Sequence, residues 1–365
     1  MRPAFASTKS AAAFTLLLLV LLALPAVMGK NWLPPREQIY DSQSWGNGPY
    51  PWLRQQIFAE TNDIDIAFLG SSHMLRGIDT PYVQAALSGK LGRPAVVRSI
   101  AWVGSGYDGL FLIAQDLLQH RHVRQLIFYD EEGVFRNAAI PGLFRFGENV
   151  PALHGLTLTE KGLYYFASLI GLPRTLLSLV RTNIPAALVS EDPGFIEPHD
   201  ASFVEAPRHL GAVAYTAPSH LDQTPFTPYQ PVTAHREGPS IYTATSSNQD
   251  FVFASTPLPV WQTQFARQFA RLAESHGCRL VMLDIPTLDT VQEPVLHERA
   301  FWPALFSSNL VLVGIPGQKL FAGLSKEDVR KLFSDQGHLN QNGMEFFTSL
   351  ITPALLELYA APVNP

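Results

Sequence analysis

The sequence predicts an α/β fold: a parallel sheet covered by helices on both faces, with one large insertion and an N-terminal membrane anchor. Three observations lead there. From residue 63 onward, short apolar runs rich in β-branched residues alternate with helix-like stretches, the pattern that parallel strands and crossover helices require. The alternation breaks between about 138 and 255 and then resumes. Ahead of everything, Arg2 and Lys9 flank the start of an apolar run from Ala11 to Met28.

That first segment, residues 1–29, reads as a signal peptide or a retained anchor. Its apolar run is near the lower limit for spanning a bilayer, and Ala23-Leu24-Pro25-Ala26 is a poor cleavage site, which favours retention. Basic residues before the run, and few just after it, place the N-terminus inside and the remainder outside the cytoplasm. Residues 30–62 are rich in Pro, Trp, Tyr and Gly without periodicity and read as a linker docked through its aromatics. Residues 63–358 carry the α/β domain.

Within it, Asp63 to Gly70 (DIDIAFLG) is the first expected strand, ending in Gly-Ser-Ser, and Thr80 to Leu87 a helix. Ala95 to Ile100 is the second strand, followed by a glycine turn at Gly104 to Gly106 and an amphipathic helix from Gly109 to His120. Arg124 to Tyr129 is the third strand. Leu158 to Arg181 is helical in character with a break at Pro173, whereas 192–250 is loop-like, so the stretch from 138 to 255 reads as a lid or recognition insertion. Pro259 to His276 is a helix, Cys278 to Leu283 the fourth strand, and Met344 to Leu358 the closing helix.

Composition narrows the function classes. Of the 365 residues, 47% are hydrophobic and 16% charged, which suits a folded body with an apolar segment. A net charge of -5 without any Lys/Arg cluster offers nucleic acid no electrostatic footprint. Cys278 is the sole cysteine, so neither an intrachain disulfide nor a cysteine-based metal site can form. No cofactor and no metal is expected.

In a doubly wound sheet, ligands sit beyond the carboxyl ends of the strands, and Gly70-Ser71-Ser72-His73 stands at the end of the first one. A serine hydroxyl needs a base within hydrogen-bond reach, and the base needs a third group to orient it. Both can come from one loop just before the last helix, Phe333-Ser334-Asp335-Gln336-Gly337-His338-Leu339-Asn340. The spacing lets the Asp335 carboxylate fold back on the His338 imidazole, fixing its tautomer and stabilising the imidazolium formed as Ser72 attacks. Ser71 is the alternative nucleophile.

A strand ending in Gly-x-Ser, a glycine turn after the second strand and Asp-x-x-His before the last helix resemble the SGNH hydrolases, the GDSL esterase superfamily. The resemblance covers roughly residues 63–137 and 257–358 and implies a three-layer α/β/α, flavodoxin-like fold. It implies Ser72 as nucleophile, Asp335 and His338 as its partners, and the backbone N–H groups of Ser72 and Gly104 as oxyanion donors. Within the superfamily, the basic anchor and the Gly-Ser-Ser block are similar to extracytoplasmic proteins related to alginate-acetylation factors and DltD-like alanylation proteins. That similarity implies an acylated carbohydrate substrate and a membrane-bound O-acyltransferase partner. One block departs: where members carry an asparagine after the third strand, this chain runs Tyr129-Asp130-Glu131-Glu132-Gly133, with Asn137 the substitute donor.

The expected function is therefore a serine esterase or O-acyltransferase acting on acetyl or other acyl esters of a surface or exported polysaccharide. The rival reading is an inactive member serving as a glycan-binding or assembly factor, and a second rival is a lipase or thioesterase. Other polar groups have plainer readings. His120 and His122 end a helix, where cations favourably meet the dipole. Asp130, Glu131 and Glu132 read as a solvated acidic loop before a hard-cation site, and His73 either lines the substrate site or fills a loop. Asp284 reads as a turn residue at the active edge, and His199, His209, His220 and His235 lack ligand spacing and read as surface groups.

Overall fold

The computed structural model describes residues 7–27, 34–42, 50–102, 106–129, 153–165, 196–197, 214–215, 239–243, 250–254, 258–299, 306 and 310–361. Its centre is a six-stranded, mostly parallel sheet. Apart from a two-residue antiparallel pair, Ile196–Glu197 with Ala214–Tyr215, the strands in chain order are β1 (Ile64–Gly70), β2 (Val97–Ala101), β3 (Val123–Tyr129), β4 (Ser240–Thr243), β5 (Phe251–Ala254), β6 (Arg279–Leu283), β7 (Leu296–Arg299) and β8 (Val311–Gly314). The large sheet runs β2-β1-β3-β6-β8-β4, with β4 antiparallel at one edge, while β5 and β7 pair separately. Its five parallel strands lie in the order second, first, third, fourth, fifth, which is compatible with a flavodoxin-like arrangement.

Alternation of side chains places successive residues of one strand in different cores. Leu126 and Phe128 of β3 and Met282 of β6 join one apolar cluster; Ile127 and Val281 join the other. The first cluster is completed by α6 (Tyr107–His120) and α7 (Val260–Ser275), through Leu110, Leu117, Phe265 and Phe269. The second takes Met74 and Leu75 from α4 (Ser72–Gly77), Val83 and Leu87 from α5 (Thr80–Leu91), Leu320 from α8 (Gly317–Leu320), Val329 from α9 (Lys326–Arg330), and Phe347, Ile351 and Leu355 from α10 (Gln341–Ala360). Helices therefore cover both faces, and strands buried on both sides read as continuous apolar runs.

Local chemistry sets the ends of these helices. Asp79 caps α5 by accepting the Tyr82 amide at 3.1 Å, and the helix stops at Gly92, whose φ of 64° suits glycine. Gly106, at φ 116°, lets the chain turn into α6. Gln262 on α7 then serves the first turn of α6: its Oε1 accepts the Tyr107 amide at 2.6 Å, and its Nε2 donates to Asp108 at 2.9 Å.

The structure sharpens two sequence readings. The segment expected as a linker holds helices α2 (Arg36–Ser42) and α3 (Tyr50–Arg54) and a π-helical turn, Gln55–Ala59. Tyr40, Tyr50, Trp52 and Leu53 within it are core residues. Arg36 grips Asp116 of α6 through two of its nitrogens, and the Tyr40 hydroxyl donates to the same carboxylate at 2.8 Å. The sheet also has two strands beyond the four expected, β4 and β8. Val311–Gly314 is too short to show a period, and Ser240–Thr243 lies within the stretch expected as an insertion yet forms the edge of the main sheet. Helix α1 (Thr8–Val27) exposes Phe14, Leu16, Leu17, Leu18, Leu19 and Val20; among the described residues no helix is long and apolar enough to cross a membrane. The Gly104 and Asn137 positions, and the acidic run from Asp130, lie outside the described residues.

Candidate active site

The carboxyl ends of the strands are level. Gly70 of β1 lies beside Ala101 of β2, Leu69 beside Phe128 of β3, and Tyr129 beside Leu283 of β6. Ser72 follows directly on β1 as the first residue of α4. Ser71 precedes it as the N-cap, buried, with its Oγ accepting the His73 amide at 3.4 Å. Of the two serines, Ser72 is the one that meets a base: its Oγ lies 2.8 Å from His338 Nε2. As an opening residue of a helix, Ser72 also has a backbone N–H with no acceptor in its own helix.

The loop that carries the base is fastened at several points. Phe333 and Leu339 form an antiparallel bridge, the Ser334 amide donates to the His338 carbonyl at 2.9 Å, and Arg76 of α4 donates to Ser334 Oγ. The Leu288 amide donates to the Gln336 carbonyl at 2.9 Å. Asn340 closes the loop: its Nδ2 donates to the Lys331 carbonyl at 2.7 Å, and its Oδ1 accepts the Gly343 amide at 3.1 Å as the N-cap of α10. Gly343 is required by this packing, because a Cβ there would lie 2.0 Å from the Leu332 carbonyl oxygen.

Inside the loop, Asp335 Oδ1 accepts the amides of Gly337 and His338, both at 2.8 Å, and both carboxylate oxygens lie 2.9 Å from His338 Nδ1. Burial alone raises the Asp335 pKa, but the His338 side chain and the backbone amides outweigh it and hold the carboxyl below the usual range. An ionised carboxylate can only accept, so His338 carries its proton on Nδ1 in the neutral ring, and Nε2 is left to accept the Ser72 hydroxyl. That is the order of hydrogen bonds a serine nucleophile needs. The Asp335 side chain is 53% exposed and His338 23%, so solvent competes for the orienting bond.

One neighbour, His73, is expected from the sequence either to line the substrate site or to fill a loop, and the structure sets it against the base. The His73 ring stacks on His338 at 4.6 Å between centroids, 22° from parallel, and on its other side meets Tyr129 at 5.0 Å and 17°. Burial first, and the His338 charge second, push its pKa down to about 4, against the pull of Asp335. Gly337 makes room for this ring, since a Cβ there would come within 3.1 Å of His73 Nε2. Tyr129 occupies the end of β3, where the resemblance expects an asparagine soon after.

The other sequence candidates sit apart from these contacts. His120 Nδ1 lies 2.7 Å from the Asp116 carbonyl and His122 Nδ1 3.7 Å from Asp63. Among the described residues no group of three or more His, Cys, Asp or Glu side chains is placed to hold a metal. Asp284 follows directly on β6 at the active edge, its amide donating to the Val313 carbonyl at 2.8 Å. The insertion histidines His199, His209, His220 and His235 lie outside the described residues.

The fold and this site define an α/β chain with a serine–histidine–aspartate relay at the carboxyl edge of its sheet. Comparison with protein-family models, curated proteins and solved structures returned no match.

Proposed function

We propose that the chain is a serine-dependent esterase or O-acyltransferase of the SGNH type, tethered by its N-terminal segment and working outside the cytoplasm. The observation that carries this reading is the unbroken run of contacts from Ser72 Oγ through His338 to Asp335, in which an ionised Asp335 favours the tautomer that leaves Nε2 as acceptor. The flavodoxin-like strand order and the location just after β1 add support, because ligands in such sheets gather at that edge. The exposed apolar side chains of α1 support a lipid-facing or exported N-terminal segment.

In this mechanism His338 Nε2 takes the Ser72 proton as Oγ bonds to the acyl carbonyl carbon. The oxyanion is met by the Ser72 amide and, by the resemblance, by Gly104 and Asn137. The intermediate collapses as the C–O bond to the alcohol breaks and the imidazolium returns its proton to that oxygen. Water or a glycan hydroxyl then attacks the acyl-serine, losing its proton to His338, and Ser72 is restored as the acid or the new ester departs. Acetylated surface or exported polysaccharide is the proposed substrate class, with a membrane-bound O-acyltransferase as partner, on the strength of the resemblance.

The competing reading, a glycan-binding or assembly factor without catalysis, draws on Tyr129 ending β3 with acidic residues after it, where loss of an oxyanion donor costs about 100-fold to 1000-fold in rate. A fluorophosphonate probe separates the two. A single adduct mapped to Ser72 and lost in His338→Ala supports the enzyme; a folded sample that takes no adduct overturns it in favour of the binding factor.

A further inference from the structure

The base of this site is oriented by a carboxylate that water can reach. Asp335 is more than half exposed, and its contact with His338 Nδ1 fixes the direction in which the imidazole points within its plane. The backbone holds the His338 Cβ, so the ring plane can tilt only through small changes in the side-chain torsions. The rings packed against it limit that play. His73 lies flat against His338 and is itself backed by Tyr129, so three rings form one stack running from the end of β3 to the loop after α9 (Lys326–Arg330). Two sequence features permit it: His73 is on α4 one residue past the nucleophile, and Gly337 presents no Cβ to its Nε2.

We propose that His73 is a positioning residue, the middle ring of a Tyr129–His73–His338 stack that holds the His338 imidazole in the plane from which Nε2 reaches Ser72. This deepens the serine-enzyme reading and rests on it. Among the described residues, the charged and titratable groups facing His73 are His338 and Asp335 from the loop and the Tyr129 phenol from β3; on its own helix, Arg76 is engaged with Ser334. Burial keeps the His73 ring neutral at ordinary pH. Its π face is then available to the imidazolium that His338 becomes during proton transfer, an attraction of the cation–π kind. A second charged ring there would repel it.

Three substitutions in the full chain separate stacking from mere filling: His73→Phe keeps a flat ring, His73→Leu keeps apolar bulk, and His73→Ala keeps neither. Two readouts are taken on each folded protein: the rate of fluorophosphonate labelling at Ser72, and the downfield proton resonance of His338 Nδ1–H, the mark of an imidazole fixed on a carboxylate. In His73→Leu and His73→Ala, labelling is expected to slow by about 10-fold to 100-fold, the scale of a misplaced catalytic group, and the resonance to broaden or vanish. His73→Phe should keep the resonance and recover much of the rate. Wild-type rates and an intact resonance in His73→Leu overturn the proposal, because bulk alone then suffices. If the wild type takes no probe, the enzyme reading fails by itself; the resonance still decides whether His73 fixes the imidazole.

Discussion

Ser72 and His338 are 266 residues apart in the chain, yet Oγ and Nε2 meet at 2.8 Å. Two kinds of structure bring them there. The parallel sheet aims the end of β1 at a fixed edge, and α10 packs on α4 and α5 through the second core, carrying the loop before it to the same place. The junction is tied by Asp79, whose amide donates to Thr348 Oγ1 on α10 at 2.9 Å.

The three members of the relay should not be equal under substitution. Replacing Ser72 or His338 removes the nucleophile or the base outright, whereas Asp335→Asn keeps a side chain that can still orient the ring and loses its charge and tautomer control. With Asp335 half-exposed, its charge is already partly screened. Labelling or ester turnover in Asp335→Asn is expected to exceed that of His338→Ala by roughly 10-fold to 100-fold, following the inequality seen in other serine relays. Equal loss in both variants would mean that His338 is no base at all without the charge and tautomer control of Asp335.

The two glycines near the site should fail differently. In Gly343→Ala the new methyl group meets the Leu332 carbonyl at 2.0 Å, and a backbone oxygen held by the Asn340 amide cannot yield cheaply. The expected cost is about 3 kcal/mol in urea unfolding, near the upper end for overpacking. In Gly337→Ala the contact is a side chain at 3.1 Å, which can shift by a few tenths of an ångström. Stability should hold within about 1 kcal/mol while Ser72 labelling slows, because what moves is the ring stacked on His338.

Much of this arrangement was legible in the sequence because it is encoded locally. Ile64–Gly70 and Arg279–Leu283 announce buried strands by their apolar runs, and Asp335 and His338 by spacing and by standing before a helical stretch. Asn340 with Gly343 three residues on is an N-cap pattern that could have marked the start of α10 more closely. The Tyr129–His73–His338 stack was not legible. It depends on β3, α4 and the loop after α9 meeting in space, and one-dimensional periodicity holds no trace of that. The residues before β1 misled for a related reason: Tyr40, Tyr50 and Trp52 lack period because their helices are only seven and five residues long, and tertiary packing alone makes them core.

A chain beginning at residue 31 should therefore fold and one beginning at residue 63 should not, since the latter strips Tyr40, Tyr50, Trp52 and Leu53 from the first core. It also leaves Asp116, 4% exposed at its side chain, without Arg36 and Tyr40. The subtler variant Arg36→Ala is expected to cost up to about 3 kcal/mol, because it leaves a nearly buried carboxylate with the Tyr40 hydroxyl but no cation. Circular dichroism and urea titration of the three proteins check this; a cooperative, fully stable 63–365 fragment would return residues 34–59 to the status of a linker.

Cys278 offers a clean measure of global opening. It is 6% exposed, and burial pushes its thiol up to about 12, so little thiolate forms at neutral pH. A thiol reagent should leave the native chain untouched and modify it in step with unfolding in urea. Reaction well below the unfolding midpoint would reveal local opening around the start of β6.

Acid should destabilise the protein in a window that belongs to His73. In the unfolded chain its imidazole titrates near 6.5, and in the fold near 4, with burial the larger cause and the His338 charge the next. Between those values the unfolded state binds the proton and the native state does not, so stability falls as pH drops through the window and levels off below it. The full difference is worth at most about 3 kcal/mol, and less where solvent reaches the ring edge. Asp335 and Asp65 act in the same direction but in a lower window: their folded pKa values lie below the ordinary 3.8, so their contribution is whole above that value and lost only beneath it. The two effects are therefore separable by pH. Urea midpoints measured from pH 7 to pH 4 should decline in the wild type and decline less in His73→Phe, which has no proton to gain, while both proteins lose stability together at lower pH. Parallel curves across the upper window would show that His73 becomes charged inside the fold without penalty, and the ring between Tyr129 and His338 would then be an imidazolium at mildly acid pH.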